Sequence, residues 1–440
     1  MLVEFSVTNY RSIGEKQTLS LTPAPKQKEY PENIISENQF PALNVIAIYG
    51  SNASGKSNLL RCISVMDEIV HISSRTSSTT RLPFDPFMLK EGYADRPTEF
   101  EVVFVTDEKR YRYGFSYNQS SILREWLYRK NVGREVPLFL REDDVIDVRS
   151  GFQGSKKLID TAVEATRNNA LFLSQCDSLN VEEAIGIMAW FDTLHVINGL
   201  YTEKHEISTV ELWQQAFYRE KINQYINSIA MDIQGIDISI KKLEENDLPS
   251  DFPAQLKDKL SKYNVQSFHH TSAKDNKPTN DFLSWDFDKH ESEGSKKALQ
   301  LSGPVLSALM NGEILVIDEM EAKLHPIITL NIIDMFLDPS CNPKHAQLIF
   351  ATHDTNLLSY SKLRRDQIYF TEKNKWESTE LFSLSDFVYF NEKNGEIIEE
   401  KERKDTDKER RYLEGRYGAI PFLGDFKNQI NKMLWQREEE

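Results

Sequence analysis

Two clusters of residues in this chain have the types and spacing of phosphate chemistry. The first is Gly50-Ser51-Asn52-Ala53-Ser54-Gly55-Lys56-Ser57-Asn58. Its two glycines put no Cβ in the way, so successive backbone N–H groups can turn inward around a polyphosphate. Lys56 adds a point charge at the β- and γ-phosphates, and Ser57 offers a hydroxyl to Mg²⁺. A helix starting at Lys56 would aim the positive end of its dipole at the same anion. A chance match in a flexible loop is the competing reading. The apolar run Ile46-Ala47-Ile48-Tyr49 before the motif and the helix-compatible Leu59-Leu60 after it argue against that, because strand, loop and helix are the context the motif requires. The cluster implies a nucleoside triphosphate site.

The second cluster is Glu313-Ile314-Leu315-Val316-Ile317-Asp318-Glu319, an apolar strand ending in two acids. Placed beside the phosphate-loop strand, its first acid, Asp318, would reach Mg²⁺, and Glu319 would orient or deprotonate the attacking water. The competing reading is a strand that ends in a charged turn.

Three further groups are weaker by themselves. Ser292-Glu293-Gly294-Ser295-Lys296-Lys297 has an N-cap serine and a glycine that permits close backbone approach, so its helix terminus could bind phosphate oxygens or merely start a helix. Gly303-Pro304 is expected to kink or interrupt that helix. Gln347-Leu348-Ile349-Phe350-Ala351-Thr352-His353-Asp354 is a buried strand ending in a polar turn, where His353 could hydrogen-bond the γ-phosphate or serve structure alone. Arg11, in the turn after Phe5–Tyr10, could touch phosphate or be simply solvated. His325, before Pro326, reads as structural. His269-His270 lack partners at ligand spacing, and Asp405-Thr406-Asp407 has no apolar strand before it, so neither reads as a metal site.

The elements that must position these groups follow from length and pattern. A chain of 440 residues can form two or three domains, and 40% hydrophobic with 28% charged residues fits a globular protein. No apolar run reaches the ~18–20 residues of a membrane span. The start Met1-Leu2-Val3-Glu4-Phe5 lacks the basic and apolar regions of a secretory signal, so a cytoplasmic protein is expected. Cys62, Cys176 and Cys341 are scattered and read as buried structural thiols. A net charge of −15 disfavours a generally basic DNA-gripping surface, though a local groove stays open.

Phe5–Ile13 reads as a strand and turn with which Thr18–Leu21 pairs back. Residues 98–130 alternate with period two around a turn at Asp107-Glu108, giving an antiparallel sheet. Lys156–Arg167 and Glu182–Leu194 read as helices; Leu212, Trp213, Ala216, Phe217, Ile222, Ile226 and Ile229 read as the core face of another. Strands with Ile236, Ile238 and Ile240, and with Leu283, Trp285 and Phe287, flank a polar stretch near Asp251–Asn280. Between 391 and 411, 15 of 21 residues are charged with both signs mixed, which reads as a solvated helix face.

The order of these motifs resembles the ABC-type ATPase heads, especially the SMC-like and recombination-mediator branch, over residues 1–60 and 290–360. More narrowly, Asp318-Glu319-Met320-Glu321 with Leu324-His325-Pro326, Ala351-Thr352-His353-Asp354-Thr355-Asn356-Leu357-Leu358, and Gly415-Arg416-Tyr417-Gly418-Ala419-Ile420-Pro421-Phe422 look like the AAA-annotated, ABC-like ATPases of bacterial phage-defence and abortive-infection operons. The more than 260 residues between Lys56 and Asp318 fit such a head with large insertions, not a compact kinase or small GTPase.

The resemblance implies an α/β fold: a P-loop NTPase with an ABC-ATPase-like head, comprising a mixed sheet and an antiparallel β-subdomain, plus an inserted helical lid subdomain. The expected division is 1–135 for the N-terminal half-head, 136–290 for the mainly helical lid, 291–390 for the C-terminal half-head and 391–440 for a charged extension. It also implies Mg²⁺ on Ser57 and Asp318, with ATP on the loop of one subunit and covered by Ser292, Gly294 and Ser295 of another. Dimers would then close on ATP and open on hydrolysis.

Two departures stand out: the signature reads Ser-Glu-Gly-Ser rather than Leu-Ser-Gly-Gly-Gln, and no glutamine between Lys56 and the antiparallel sheet offers itself as the expected Mg²⁺ ligand. The leading functional expectation is an ATP-hydrolysing defence switch, a homodimer or higher homo-oligomer that controls a separate effector such as a nuclease. A DNA-binding repair ATPase is the alternative; a transporter motor and a small-molecule phosphotransferase rank below it.

Overall fold

The computed structural model describes residues 1–440 except 26, 37–38, 132, 199–202, 230–231, 243–260, 273–277, 361, 394–395, 402–405, 422–429, 432 and 434–440. Its centre is a six-stranded sheet in the order Leu194–Asn198, Ile314–Asp318, Gln347–Ala351, Val45–Gly50, Ile368–Lys373, Thr379–Ser383. The first five run parallel and the last is antiparallel to its neighbour. The three central strands are buried at every residue, as continuous apolar runs covered on both faces must be.

Alternate residues of each strand serve different cores. Ile46, Ile48, Val316 and Ile349 face one layer, with the helix Lys56–Ile72 and the antiparallel sheet. Val45, Ala47, Leu315, Ile317, Leu348 and Phe350 face the other. That second core also takes side chains from the helices Glu203–Trp213, Ala216–Ile229, Glu293–Asn311 and Pro326–Leu337.

Contrary to the reading from sequence, the acidic strand Ile314–Asp318 does not lie beside the phosphate-loop strand. The strand Gln347–Ala351 runs between them, pairing Ile317 with Phe350 and Ala47 with Phe350. All three end at the same edge, because parallel strands in register place their C-terminal ends together. The chemistry of Asp318, His353 and Lys56 therefore still converges.

The antiparallel sheet has seven strands, in the order Val145–Val148, Val136–Glu142, Ile122–Lys130, Lys109–Tyr117, Thr98–Thr106, Leu2–Thr8, Gln17–Ser20. Asp107 and Glu108 both have positive φ (47° and 61°), the backbone of a two-residue hairpin turn whose twist matches its strands. The opening strand pairs with Gln17–Ser20 on one side and Thr98–Thr106 on the other.

Residues 136–290 contain helices at Lys156–Ala165, Phe172–Ser178 and Glu182–Phe191, but also much strand. Val136–Glu142 and Val145–Val148 extend the antiparallel sheet, Leu194–Asn198 forms the edge of the central one, and Gly235–Lys242, Ser261–Ser272 and Pro278–Asp286 form a separate three-stranded sheet. Part of the polar stretch 251–280 lies outside the described residues. The single helix read over 212–229 is two, Glu203–Trp213 and Ala216–Ile229, and Ala216 and Phe217, read as core, are exposed at their junction, Phe217 to 55%. Cys62 and Cys176 are buried, whereas Cys341 is exposed in the turn after Pro326–Leu337.

Two other expectations change. The mixed-charge segment forms an antiparallel hairpin, Val388–Lys393 with Glu396–Lys401, before a short helix Lys408–Leu413 capped by Asp407. The apolar residues there stand in short runs, Val388-Tyr389-Phe390 and Ile397-Ile398, and β-branched and aromatic residues of this kind favour strand over helix. Of the acidic Asp405-Thr406-Asp407 triplet, Asp405 lies outside the described residues, as does Phe422 of the C-terminal motif.

The helix Glu293–Asn311 runs unbroken through Pro304. Proline removes the N–H that would bond the Gln300 carbonyl. The Thr209 hydroxyl, from the neighbouring helix, fills the gap: it faces the Gln300 and Leu299 carbonyls at 3.1 and 3.3 Å and accepts from the Gly303 N–H at 3.2 Å. Gly303 makes this approach possible, since a Cβ there would lie 2.7 Å from the Thr209 Cα. Among the described residues no helix is long and apolar enough to cross a membrane.

Candidate functional site

The loop Gly50–Gly55 leaves its buried strand and is backed by the opposite side of the sheet. A Cβ on Gly50 would lie 2.5 Å from the Thr371 carbonyl, and one on Gly55 2.1 Å from the Thr379 hydroxyl, so the cradle closes only around glycine. Ser54 bonds Thr371 side chain to side chain at 2.7 Å, and the Thr379 hydroxyl donates to the Ser54 carbonyl at 2.8 Å. Ser12 joins from the opening turn: its hydroxyl accepts from Asn58 Nδ2 at 2.8 Å and lies 2.9 Å from the Thr379 hydroxyl. Ser51 is half-buried, while Asn52 and Ala53 are exposed at the rim, with Ala53 at φ 62°. Arg11 reaches Asn58 at 3.4 Å, held by Asp85 at 2.7 Å.

Lys56 opens the following helix, Lys56–Ile72. Its Nζ donates to the Gly50 and Ser51 carbonyls at 2.8 and 3.2 Å and sits 3.5 Å from His353 Nδ1. Burial lowers its pKa to about 8, with Asp318, Glu321 and Glu319 opposing the shift. Burial and the Lys56 charge also lower His353, which keeps its ring neutral and able to accept at Nδ1.

Asp318, at the end of its strand, faces the Ser57 hydroxyl. Burial raises the Asp318 pKa, against the Ser57 hydroxyl and the Lys56 charge. Its Oδ1 is buried with no partner, and so are Glu321 Oε2 and Asp354 Oδ2. Uncompensated carboxylate oxygens are costly unless a cation meets them. The Ser57 hydroxyl and the Asp318 carboxylate thus fit Mg²⁺, which takes one or two protein oxygens and completes its shell with water and phosphate.

Glu319 follows in a left-handed conformation, φ 50°. For a non-glycine residue that is strained backbone of the kind found at reacting centres, and it turns the chain off the strand axis. Burial and the neighbouring Asp318 and Glu321 charges raise its pKa, while Lys56 and Lys297 oppose the rise. Glu321 anchors the next loop by accepting the His353 backbone N–H at 2.6 Å.

Ser292 caps the helix Glu293–Asn311: its hydroxyl accepts from the Ser295 N–H at 3.0 Å and lies 2.9 Å from the Ser295 hydroxyl. Gly294 lies against the turn after the acidic strand, where a Cβ would come within 3.2 Å of the Lys323 carbonyl. Glu293 clasps that turn through Lys323 at 2.8 Å and its own helix through Lys296 at 3.0 Å; these two lysines hold its pKa at about 2. Among the described residues none of the hydrogen bonds of Ser292 or Ser295 reaches the phosphate loop of the same chain.

Thus Lys56, Ser57, Asp318, Glu319 and His353 come together, Arg11 borders them through Asn58, and the serine-glycine corner stands with the Lys323 turn. Sequence reasoning missed Lys297, buried to 1% exposure one helical turn beyond Gly294, whose pKa burial lowers to about 8. A lysine among the apolar positions 298, 299 and 301 of a helix was the available signal. Thr371 and Thr379 gave no signal, since each is one of several polar residues in a short strand.

Residues 45–359 match the family model described as "AAA domain, putative AbiEii toxin, Type IV TA system". Among solved structures, the chain is similar to an SMC head domain from Thermotoga maritima: identity is 14%, covering 87% of this chain and 98% of that one, at a TM-score of 0.40. The recombination mediator protein RecF matches at 13% identity, 87% and 98% coverage and a TM-score of 0.31. An Smc head domain with an extended coiled coil, from Pyrococcus furiosus, matches at 12% identity, 87% and 96% coverage and a TM-score of 0.35. No curated protein matches the sequence.

Proposed function

The chain belongs to this AAA-domain family of P-loop ATPases, and from that premise we propose that it is an ATP-hydrolysing switch that dimerises around ATP and controls a separate effector in anti-phage defence. One arrangement carries the reading. Ser57 faces Asp318, one of whose oxygens is buried without a partner, with Lys56 and Glu319 beside them. The toxin–antitoxin wording of the family's description supports the defence role.

In this mechanism the backbone N–H groups of 51–57 and the Lys56 ammonium hold the triphosphate. Ser57 and Asp318 would hold Mg²⁺, which supplies charge neutralisation on the phosphate oxygens. Glu319, with its raised pKa, accepts the proton of the attacking water. His353, neutral, offers its ring to the γ-phosphate edge beside Lys56. Ser292, Gly294 and Ser295 of a second copy cover the nucleotide. A helix terminus with two hydroxyls suits that anionic partner, and among the described residues the hydrogen bonds of Ser292 and Ser295 are not spent on the phosphate loop of their own chain, which leaves both free to meet a partner's nucleotide.

Glu319→Gln is the test. It should retain ATP while turnover falls ~100-fold or more, and it should form an ATP-dependent dimer seen by light scattering. Near-normal turnover would remove Glu319 as base, and a monomer with bound ATP would overturn the switch. DNA affinity that weakens steeply with salt would instead favour a repair ATPase.

A further inference from the structure

The residue immediately before the serine-glycine corner is Glu291, and the site described above leaves it without a role. Its side chain is 9% exposed. One oxygen, Oε1, meets three donors: Ser267 Oγ at 2.6 Å, His269 Nε2 at 2.8 Å and Trp285 Nε1 at 2.8 Å. Burial alone would raise its pKa; these three donors hold it below the usual carboxylate value.

All three donors come from one face of the inserted three-stranded sheet. Ser267 and His269 are two apart on the strand Ser261–Ser272, hence on the same side, and Trp285 stands directly opposite Ser267 on Pro278–Asp286. The His269 and Trp285 rings lie 4.3 Å apart, and His290 adds its ring 5.5 Å from Trp285. Between sheet and corner, the short helix Phe287–His290 is pinned by Phe287, buried to 1% exposure in the same apolar core as Ile236, Ile238 and Val265 of the sheet. The sheet therefore grips the chain up to the last residue before Ser292.

We infer that Glu291 is a positioning residue through which the inserted sheet sets the placement of Ser292, Gly294 and Ser295, and hence the ability of the corner to cover a nucleotide on a second copy. The inference rests on the switch reading for its function but on the Glu291 contacts for its structure. Three hydrogen bonds to one charged oxygen fix the carboxylate in direction as well as distance. The peptide linking Glu291 to Ser292 has only two soft torsions in which to absorb a shift of the sheet. Lys323 and Glu293 hold the other side of the corner at 2.8 Å, so the corner is seated between the sheet and the turn that follows Glu319.

The test compares Glu291→Ala with the parent in the Glu319→Gln background, with ATP and Mg²⁺. The ATP-dependent dimer should weaken on the order of tenfold or more, as loss of hydrogen bonds to a charged group implies, while ATP affinity of the monomer stays within about twofold. Without nucleotide, amides of 292–300 should exchange faster, with those of Lys56–Ile72 unchanged. Glu291→Gln keeps a carbonyl acceptor for Ser267 and Trp285 and should fall between the two; it serves alone if the alanine variant does not fold. Equal dimerisation and equal exchange would overturn the inference and leave the switch reading standing. If Glu319→Gln itself stays monomeric with ATP bound, the switch reading fails, and unchanged exchange at 292–300 would then overturn the Glu291 link as well.

Discussion

Removing the Thr209 hydroxyl should destabilise the helix that carries the serine-glycine corner, in large part because that helix contains Pro304. Thr209 is fully buried, and its hydroxyl stands where the helix has lost a bond: 3.1 Å from the Gln300 carbonyl and 3.2 Å from the Gly303 nitrogen. Thr209→Val keeps the shape and leaves a buried carbonyl and a buried N–H without this partner. Each unsatisfied group costs about 1–3 kcal/mol. Because the two share one hydroxyl they do not simply add, so about 2–3 kcal/mol is expected for the variant. Thr209→Ser, which keeps the hydroxyl, should cost no more than about 1 kcal/mol. In a Pro304→Ala background the backbone N–H restored at that position can bond Gln300 along the helix, so Thr209→Val should cost about 1–2 kcal/mol less there. Urea unfolding followed by far-UV circular dichroism gives the stabilities, and exchange at residues 296–305 localises the loss. An equal cost of Thr209→Val in both backgrounds would refute the idea that the hydroxyl repairs the proline gap.

Lys56, with a pKa lowered to about 8, is charged below that pH and neutral above it. Triphosphate binding should therefore take up a proton above pH 8, and nucleotide affinity should weaken by up to roughly tenfold per unit towards pH 10. A fluorescent-nucleotide titration that stays flat to pH 9.5 would contradict this. His71 is raised to about 9, chiefly by its hydrogen bond to Asp67 and secondarily by Asp192. A raised folded-state pKa adds stability that is complete below pH 6.5 and lost as pH rises through 9, so His71→Gln should cost about 1 kcal/mol at pH 6 and little at pH 10, with Asp192 largely exposed and screened. Melting temperatures at the two pH values check it. Gly55→Ala would put its Cβ 2.1 Å from the Thr379 hydroxyl at φ 115°, and equilibrium dialysis should find nucleotide binding lost while far-UV dichroism is retained.

What was legible in the sequence was whatever local pattern alone enforces. The phosphate loop declared itself because its glycines, lysine and serine must be neighbours in the chain. The antiparallel hairpin at Asp107-Glu108 declared itself because period two is read over nine-residue strands, Thr98–Thr106 and Lys109–Tyr117. Leu194–Asn198 escaped because five residues at a sheet edge, with His195 and Asn198 in them, carry no period that separates strand from the end of the preceding helix. The order of the central strands escaped for a different reason. Nothing in Ile314–Asp318 or Gln347–Ala351, both wholly buried apolar runs, says which of them pairs with Val45–Gly50. The support behind the loop was hidden too: Ser12, Thr371 and Thr379 are far apart in sequence and meet Ser54 and Asn58 only in the fold.

The long separation between the two chemical clusters has a structural consequence for how sites could communicate. The chain returns from its insertions through the helix Glu293–Asn311, reverses at Gly312 in a left-handed conformation, and enters the acidic strand at once. A helix of 19 residues spans about 28 Å and the five-residue strand about 17 Å, so the helix, packed back against the strand, carries its first turn past the strand's far end. There Gly294 packs on the Lys323 carbonyl and Glu293 clasps the Lys323 side chain at 2.8 Å. Lys297, one turn along, adds a buried positive charge that acts on Glu319 and Glu321. The corner proposed to cover a partner's nucleotide and the acid proposed to hydrolyse the chain's own are thus closed into one unit by backbone at one end and by an ion pair at the other. In the dimer we propose, a change in charge at Glu319 on one side is felt, within the same chain, by the surface that completes the opposite site. Lys297→Met should then weaken ATP-dependent dimerisation as well as turnover; loss of turnover with dimerisation untouched would show that the two ends act separately.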